Sequence, residues 1–120
     1  MSHTMNIKTE IKDLDALKRA AERLGIPWNI GEHRLFSSTE TGTAVFLPGW
    51  SFPAVIRDDG SVAMDLYNGR WGNIDELNKL TAYYGIEKAK LEAWKQGYSV
   101  TEGYNEDTQE LTLEINMEVY

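Results

Sequence analysis

The chain has 120 residues, of which 42% are hydrophobic and 11% aromatic, which is the size and apolar content of one domain with a single core. It contains no cysteine, and this excludes disulfides, thiolate metal sites and a thiol nucleophile. The formal net charge of −7 opposes contact with nucleic-acid phosphates, so nucleic acid is a disfavoured partner.

The first predicted elements are a strand and a helix. Residues 5–11 alternate between apolar and polar side chains, the pattern of a half-buried strand. Asp13 is a predicted N-cap, and apolar residues then recur at helical spacing until Gly25, a residue type that often follows a helix. We therefore expect a strand over 5–11 and a helix between Asp13 and Gly25.

The middle of the chain is more broken. Short apolar pieces from Trp28 to Phe46 are separated by glycines and serines, which predicts short strands and turns. Residues 52–57 have an extended pattern. Asp58-Asp59-Gly60 predicts a hairpin turn that leads into an alternating strand from Val62.

A second helical region follows. Asn73 and Glu76 predict a capping box at its start, and apolar residues continue at helical spacing towards Gly97. Gly85 lies inside this region, so one long helix and two short helices are both compatible with the pattern. We favour one helical region with a kink at Gly85.

The C-terminal region predicts a last pair of strands. A strand begins at Tyr98, residues 105–108 form a polar turn, and residues 111–119 alternate strictly. The fold class that follows is a single α+β domain over residues 1–120, a two-layer sandwich in which two helices cover one face of a mainly antiparallel sheet. We expect the alternating segments from both ends of the chain to lie together in that sheet.

An ordered series of short motifs resembles a known family. The resembling segments are Met1-Ser2-His3, Ile7-Lys8-Thr9, Asp13-Leu14, Leu24-Gly25, Asn68-Gly69, Trp71-Gly72, Leu80 to Tyr84, Glu92-Ala93 and Lys95-Gln96-Gly97-Tyr98. Together they resemble the DUF-1257 or Ycf-35-like family, a conserved family of unknown function found in cyanobacteria, algal plastids and phages. The resemblance covers both ends of the chain and thins between Pro27 and Pro53.

The resemblance implies a shared fold and length but no reaction, because the family has no established catalytic residues. Its members look like accessory proteins, which implies a protein partner, with an AAA-type ATPase as the candidate. The chain departs from the family pattern at Thr4, where an aromatic residue is usual, and in a shorter aromatic and acidic run before Trp71. These departures imply a divergent member and favour a phage as its source.

The sequence assigns no catalytic residue, metal ligand or cofactor. The two histidines, His3 and His33, lack the spacing of metal ligands, and the paired aspartates before Gly60 are what a turn requires. Neither a Gly-x-Ser-x-Gly elbow nor a phosphate-binding glycine motif is present. An enzyme is therefore disfavoured.

The aromatic residues are the best candidates for a binding site. Many lie in or beside predicted loops, and Trp and Tyr are favoured at protein interfaces. We select Trp50, Trp71 and Tyr83 as binding residues, and add His3 because it belongs to the family-like start.

The preferred function is a non-enzymatic accessory or adaptor protein that binds another protein through an aromatic loop surface and an acidic face. One alternative is a small metal- or ligand-dependent enzyme using a histidine and carboxylates. The other is a phage-encoded acidic inhibitor of a host factor. No apolar run is long enough to cross a membrane, and residues 1–10 lack a signal-peptide pattern, so we expect a cytoplasmic protein, or a stromal one in an algal plastid.

Overall fold

This computed structural model describes residues 10–108 and 110–117 and the backbone of residues 5–7, and in these residues the two helices are separated by runs of consecutive strands, which is an α+β order. The elements of these described residues are β1 (Met5–Ile7), α1 (Leu14–Leu24), β2 (Trp28–Arg34), β3 (Thr39–Val45), β4 (Ala54–Ile56), β5 (Val62–Met64), α2 (Ile74–Lys95), β6 (Ser99–Asn105) and β7 (Glu110–Asn116). Among the described residues, neither helix combines the length and the apolar character needed to cross a membrane.

Both helices begin at the predicted caps. The Asp13 side chain accepts a hydrogen bond from the backbone N–H of Ala16 at 3.1 Å, and Gly25 adopts the left-handed conformation after the last turn of α1. The Asn73 side chain accepts from the N–H of Asp75 at 2.9 Å. Helix α2 is one continuous element of 22 residues that includes Gly85, so the version with two short helices is wrong.

The main sheet contains five strands in the order β1-β5-β4-β3-β2, and every neighbouring pair is antiparallel. The predicted turn at Asp58-Asp59-Gly60 joins β4 to β5, with Gly60 at φ 86°. The register of β4 and β5 pairs Val55 with Ala63. The first strand is shorter than the sequence predicts, and Ile11 lies beyond it, where its N–H donates to the carbonyl of Gly60 at 2.8 Å.

The two faces of this sheet are covered differently, as the alternation along its central strands shows. Side chains on one face pack with both helices in the main core, among them Val45, Ile56, Val62 and Met64. The residues between them, Ala44, Val55 and Ala63, form a smaller core with Leu35 on the opposite face. Helices α1 and α2 therefore cover one face, which confirms the predicted fold class.

Strands β2 and β3 are longer than the predicted short pieces. They form a hairpin of two seven-residue strands, in which Gly31 lies opposite Gly42. From sequence alone, these glycines are interpreted as breaks between strands. Gly42 is instead buried within β3, where the backbone of β4 passes so close that a side chain would collide with Ile56.

The C-terminal strand does not join the main sheet. Among the described residues, strand β7 pairs with β6 alone, in a separate two-stranded sheet that packs mainly on α2. The expectation that segments from both ends of the chain share one sheet is therefore wrong. Leu111 and Leu113 are half-buried, whereas Ile115 is exposed, because helix α2 covers only part of this hairpin.

Candidate functional site

Four aromatic side chains cluster on the sheet face opposite the helices, and we call Phe36, Phe52, Tyr67 and Trp71 the aromatic surface. Trp71 is the centre: its ring lies 4.9 Å from that of Phe36 and 5.4 Å from that of Phe52. Tyr67 stacks on it at 4.9 Å with an interplanar angle of 30°. Arrangements of this kind stabilise aromatic pairs beyond the area that they bury.

A tight loop after β5 carries two of these rings. Tyr67 and Asn68 have φ values of 48° and 52°, which are uncommon for residues other than glycine, and Tyr67 is the more unusual of the two. The N–H of Trp71 donates to the carbonyl of Leu66 at 2.9 Å, and the carbonyl of Trp71 accepts from the N–H of Ser51 at 2.7 Å. The loop therefore holds Trp71 in one position over the sheet.

A buried carboxylate anchors the part of the chain that carries Phe36. Asp65 is fully buried at the end of β5, and it accepts hydrogen bonds from the N–H of Ser37 at 3.1 Å and from the Ser37 hydroxyl at 3.3 Å. A buried carboxylate is costly unless such bonds compensate it. Asp65 therefore fixes the turn between β2 and β3, and with it the position of Phe36.

The aromatic surface packs on the smaller core on one side and is exposed to solvent on the other. Phe52 packs on the smaller core of Leu35, Ala44, Val55 and Ala63. The Phe36 side chain is 53% exposed, and Tyr67 and Trp71 are half-buried. The guanidinium of Arg70 lies 5.3 Å from the Tyr67 ring centre. Such a surface can bind apolar, aromatic or proline-containing side chains of a partner.

Trp50 lies beside the aromatic surface and has structural contacts of its own. Its ring covers Gly72, where an added Cβ would come within 2.8 Å of ring atoms, and its Nε1 donates to the carbonyl of Asn73 at 3.0 Å. It also packs against the main core. Trp50 therefore fixes the start of α2, and Trp71 is the predicted binding residue that contributes directly to the aromatic surface.

Tyr83 lies elsewhere, on the helix side of the sheet. It packs against the main core, and the guanidinium of Arg23 lies 4.7 Å from its ring centre. Together with Tyr104 and Leu111 it lines a groove between α2 and the C-terminal hairpin. The structure thus separates Tyr83 from Trp71. The fourth predicted residue, His3, lies outside the described residues.

The C-terminal hairpin carries most of the net negative charge, and we call β6, β7 and their connecting turn the acidic hairpin. Residues 96–120 contain six acidic side chains and no lysine or arginine, out of 19 acidic and 12 basic side chains in the chain. Glu102 accepts a hydrogen bond from Arg23 of α1 and lies 3.9 Å from Lys90 of α2. This bond raises the pKa of Arg23. Glu102 therefore fastens the hairpin to both helices.

Asp59 and His33 make local structural contacts. Asp59 accepts from the Ser61 hydroxyl at 2.6 Å and from its N–H at 2.9 Å, and these bonds lower the pKa of Asp59. His33 lies edge-on to Phe46, with ring centres 6.0 Å apart. Within residues 10–108 and 110–117, no three His, Asp or Glu side chains are grouped so as to hold a metal ion.

Comparison of the chain with models of protein families, with curated proteins and with solved structures finds no match.

Proposed function

We propose that this chain is a non-enzymatic adaptor that binds another protein through the aromatic surface. The observation that carries the proposal is the contact of Phe36, Phe52 and Tyr67 with a single central ring, Trp71, at an open surface. Rigid aromatic side chains supply a large contact area with little loss of conformational entropy, which is why Trp and Tyr dominate the binding energy of many interfaces.

The way in which the surface is built supports a role in binding. The left-handed backbone of Tyr67 has a cost in stability, and the burial of the Asp65 carboxylate is tolerated through its hydrogen bonds with Ser37; both features place rings at the surface. Core packing alone does not require Phe36 to be half exposed. Loss of stability in order to position an exposed side chain is typical of functional sites.

The acidic hairpin is the proposed acidic face of the adaptor. It lies on α2, on the helix side of the sheet, whereas the aromatic surface lies on the other side. The two surfaces can therefore contact one partner on different sides or two partners at once. The resemblance to the DUF-1257 or Ycf-35-like family makes an AAA-type ATPase the first partner to test, in the cytoplasm of the native host.

The test is capture of partners from the native host cell with tagged wild-type protein and two matched variants. Phe36→Ala removes a residue of the aromatic surface that is 53% exposed, and Phe46→Ala removes an aromatic residue of similar exposure, 42%, whose ring contacts His33 and does not belong to that surface. We expect Phe36→Ala to weaken capture about tenfold or more and Phe46→Ala to leave it unchanged. Circular dichroism checks that both variants fold.

Trp71→Ala provides a second, stronger test, because it removes the central ring. We expect it to abolish capture of the same partner. Partners captured equally well by Phe36→Ala, Trp71→Ala and the wild type would refute the aromatic surface as the binding site.

The distribution of acidic residues favours a second candidate function, an acidic inhibitor of a host factor. That function needs carboxylates gathered on one surface, and the acidic hairpin gathers Glu106, Asp107, Glu110 and Glu114. If this function holds, the captured partner is a nucleic-acid-binding protein, and the chain competes with nucleic acid for it. Capture that is unaffected by added nucleic acid favours the adaptor.

A further inference from the structure

We propose that strand β7 of the acidic hairpin binds an extended basic segment of a partner protein as an additional strand. The inference rests on the proposed adaptor function, because it names the chemistry of the partner at the acidic face. It concerns a different surface from the aromatic one, so the two can be tested separately.

The first observation is an incomplete sheet. Among the described residues, β6 and β7 pair only with each other, so each has one edge without a neighbouring strand. Strand β6 carries the ion pairs of Glu102 with the helices, and β7 is the strand less engaged with the body. A two-stranded sheet is marginally stable in water, and an unpaired edge accepts a further strand.

The second observation is an open apolar side. Leu111, Leu113 and Ile115 share the face of β7 that is turned towards α2. A groove of about 690 Å³ lies between this face and α2, lined by Ala82, Tyr83, Ile86, Tyr104 and Leu111 with Lys79 and Glu110. Alternate apolar side chains of an added strand would lie beside the three apolar residues of β7 and extend this covered face.

The third observation is charge. Glu114 is exposed on the opposite face of β7, and Glu110, the first residue of the strand, is exposed and also lines the groove; neither makes an ion pair with a described residue. The remaining side chains of an added strand would lie beside these carboxylates, so Lys or Arg fits there. A second copy of this chain would bring another acidic hairpin to the same place and is disfavoured by repulsion. The occupant is therefore a segment that alternates basic and apolar residues.

The test uses the full chain and a fluorescent probe peptide of about eight residues, in which Lys and Val alternate, a typical strand length. A control peptide has the same lysines grouped before the same valines. We expect the alternating peptide to bind at least about tenfold more tightly, because only its residues match both faces of β7. Fluorescence anisotropy at low salt measures both affinities, and hydrogen exchange should show slower exchange of the β7 amides with the alternating peptide.

Charge is tested with matched variants. Glu110→Gln combined with Glu114→Gln should weaken the alternating peptide about three- to tenfold, whereas Glu22→Gln combined with Glu92→Gln, exposed carboxylates on the helices, should not. The inference would be overturned if both peptides bound equally well or if hydrogen exchange of the β7 amides did not change. It would also be overturned if sedimentation showed that the chain forms a dimer through β7.

The aromatic surface must not affect this binding. Phe36→Ala should bind the alternating peptide like the wild type. If the peptide fails to bind while Phe36→Ala still loses its captured partner, only the inference about β7 fails. If the peptide binds as expected while Phe36→Ala captures normally, only the proposed aromatic site fails.

Discussion

Two glycines show how differently the same residue type acts at two positions. An added Cβ at Gly42 would lie 2.1 Å from the carbonyl oxygen of Ile56, whereas at Gly85, apart from its chain neighbours and the backbone of α2 itself, no described atom lies within 4 Å of that position. We expect Gly42→Ala to lower the free energy of unfolding by at least about 2 kcal/mol, because β3 and β4 would have to move apart. Urea denaturation, followed by tryptophan fluorescence, measures this loss.

Gly85→Ala is the matched control and should have the opposite effect. Alanine favours a helix interior over glycine by about 0.5–1 kcal/mol, and the space at Gly85 is open, so the free energy of unfolding should rise by that amount. A Gly42→Ala variant as stable as the wild type would contradict the close approach of β4 to β3.

The aromatic surface shows what the sequence reveals about single residues and what it does not. Trp71 can be selected from sequence because a tryptophan beside a predicted loop is a recognisable candidate. Phe36 cannot, because its place depends on the bond between Ser37 and Asp65, which are 28 positions apart. Residue type alone groups Tyr83 with Trp71, and the fold separates them.

At the scale of elements, the helices could be predicted because their signals are local. Asp13 and Asn73 cap the helices, and Gly25 ends the first, each through bonds within a few residues. Strands β2 and β3 are harder to predict, because the burial of Gly42 follows from a neighbouring strand that lies far along the chain. Without that neighbour, a glycine looks like a break.

The pairing of β3 with the chain after β4 has a predicted pH dependence. The Nε of Arg57 donates to Glu40 at 2.8 Å, and this hydrogen bond lowers the pKa of Glu40. A carboxyl whose pKa is lower in the folded state stabilises the fold above its unfolded pKa, and this contribution is lost as the pH falls through the folded pKa. The wild type should therefore lose more free energy of unfolding between about pH 5 and pH 3 than Glu40→Gln does.

Glu92→Gln is the control for this pH dependence, because Glu92 is an exposed carboxylate on α2 with no ion pair among the described residues. The free energy of unfolding that this variant loses as the pH falls should match the loss of the wild type, measured by urea titration at each pH. If Glu40→Gln and the wild type lose stability in parallel, the bond from Arg57 does not link folding to pH.

At the scale of the whole molecule, the sequence pattern predicts the last strand but not its place in the fold. The strict alternation of β7 indicates that one face of the strand is covered, but it does not indicate which element covers it. In the structure, α2 covers that face, and β7 lies outside the main sheet. The Cα radius of gyration, 15.8 Å, exceeds the roughly 13.6 Å typical of a compact chain of this length, and the molecule is 57 Å long.

Glu102 contributes to the attachment of the hairpin to the two helices. Glu102 contacts Arg23 and Lys90, but all three side chains are partly exposed, so the pair is worth only about 0.5–1 kcal/mol. We expect Glu102→Gln to speed amide hydrogen exchange in β6 and β7 about two- to fivefold while exchange in β4 and β5 stays unchanged. Added salt should speed exchange of the wild-type hairpin towards the rate of the variant, because salt screens the ion pairs. Glu114→Gln, on the outer face of the same hairpin, should exchange like the wild type, and a hairpin equally protected in Glu102→Gln would show that its apolar contacts with α2 alone hold it in place.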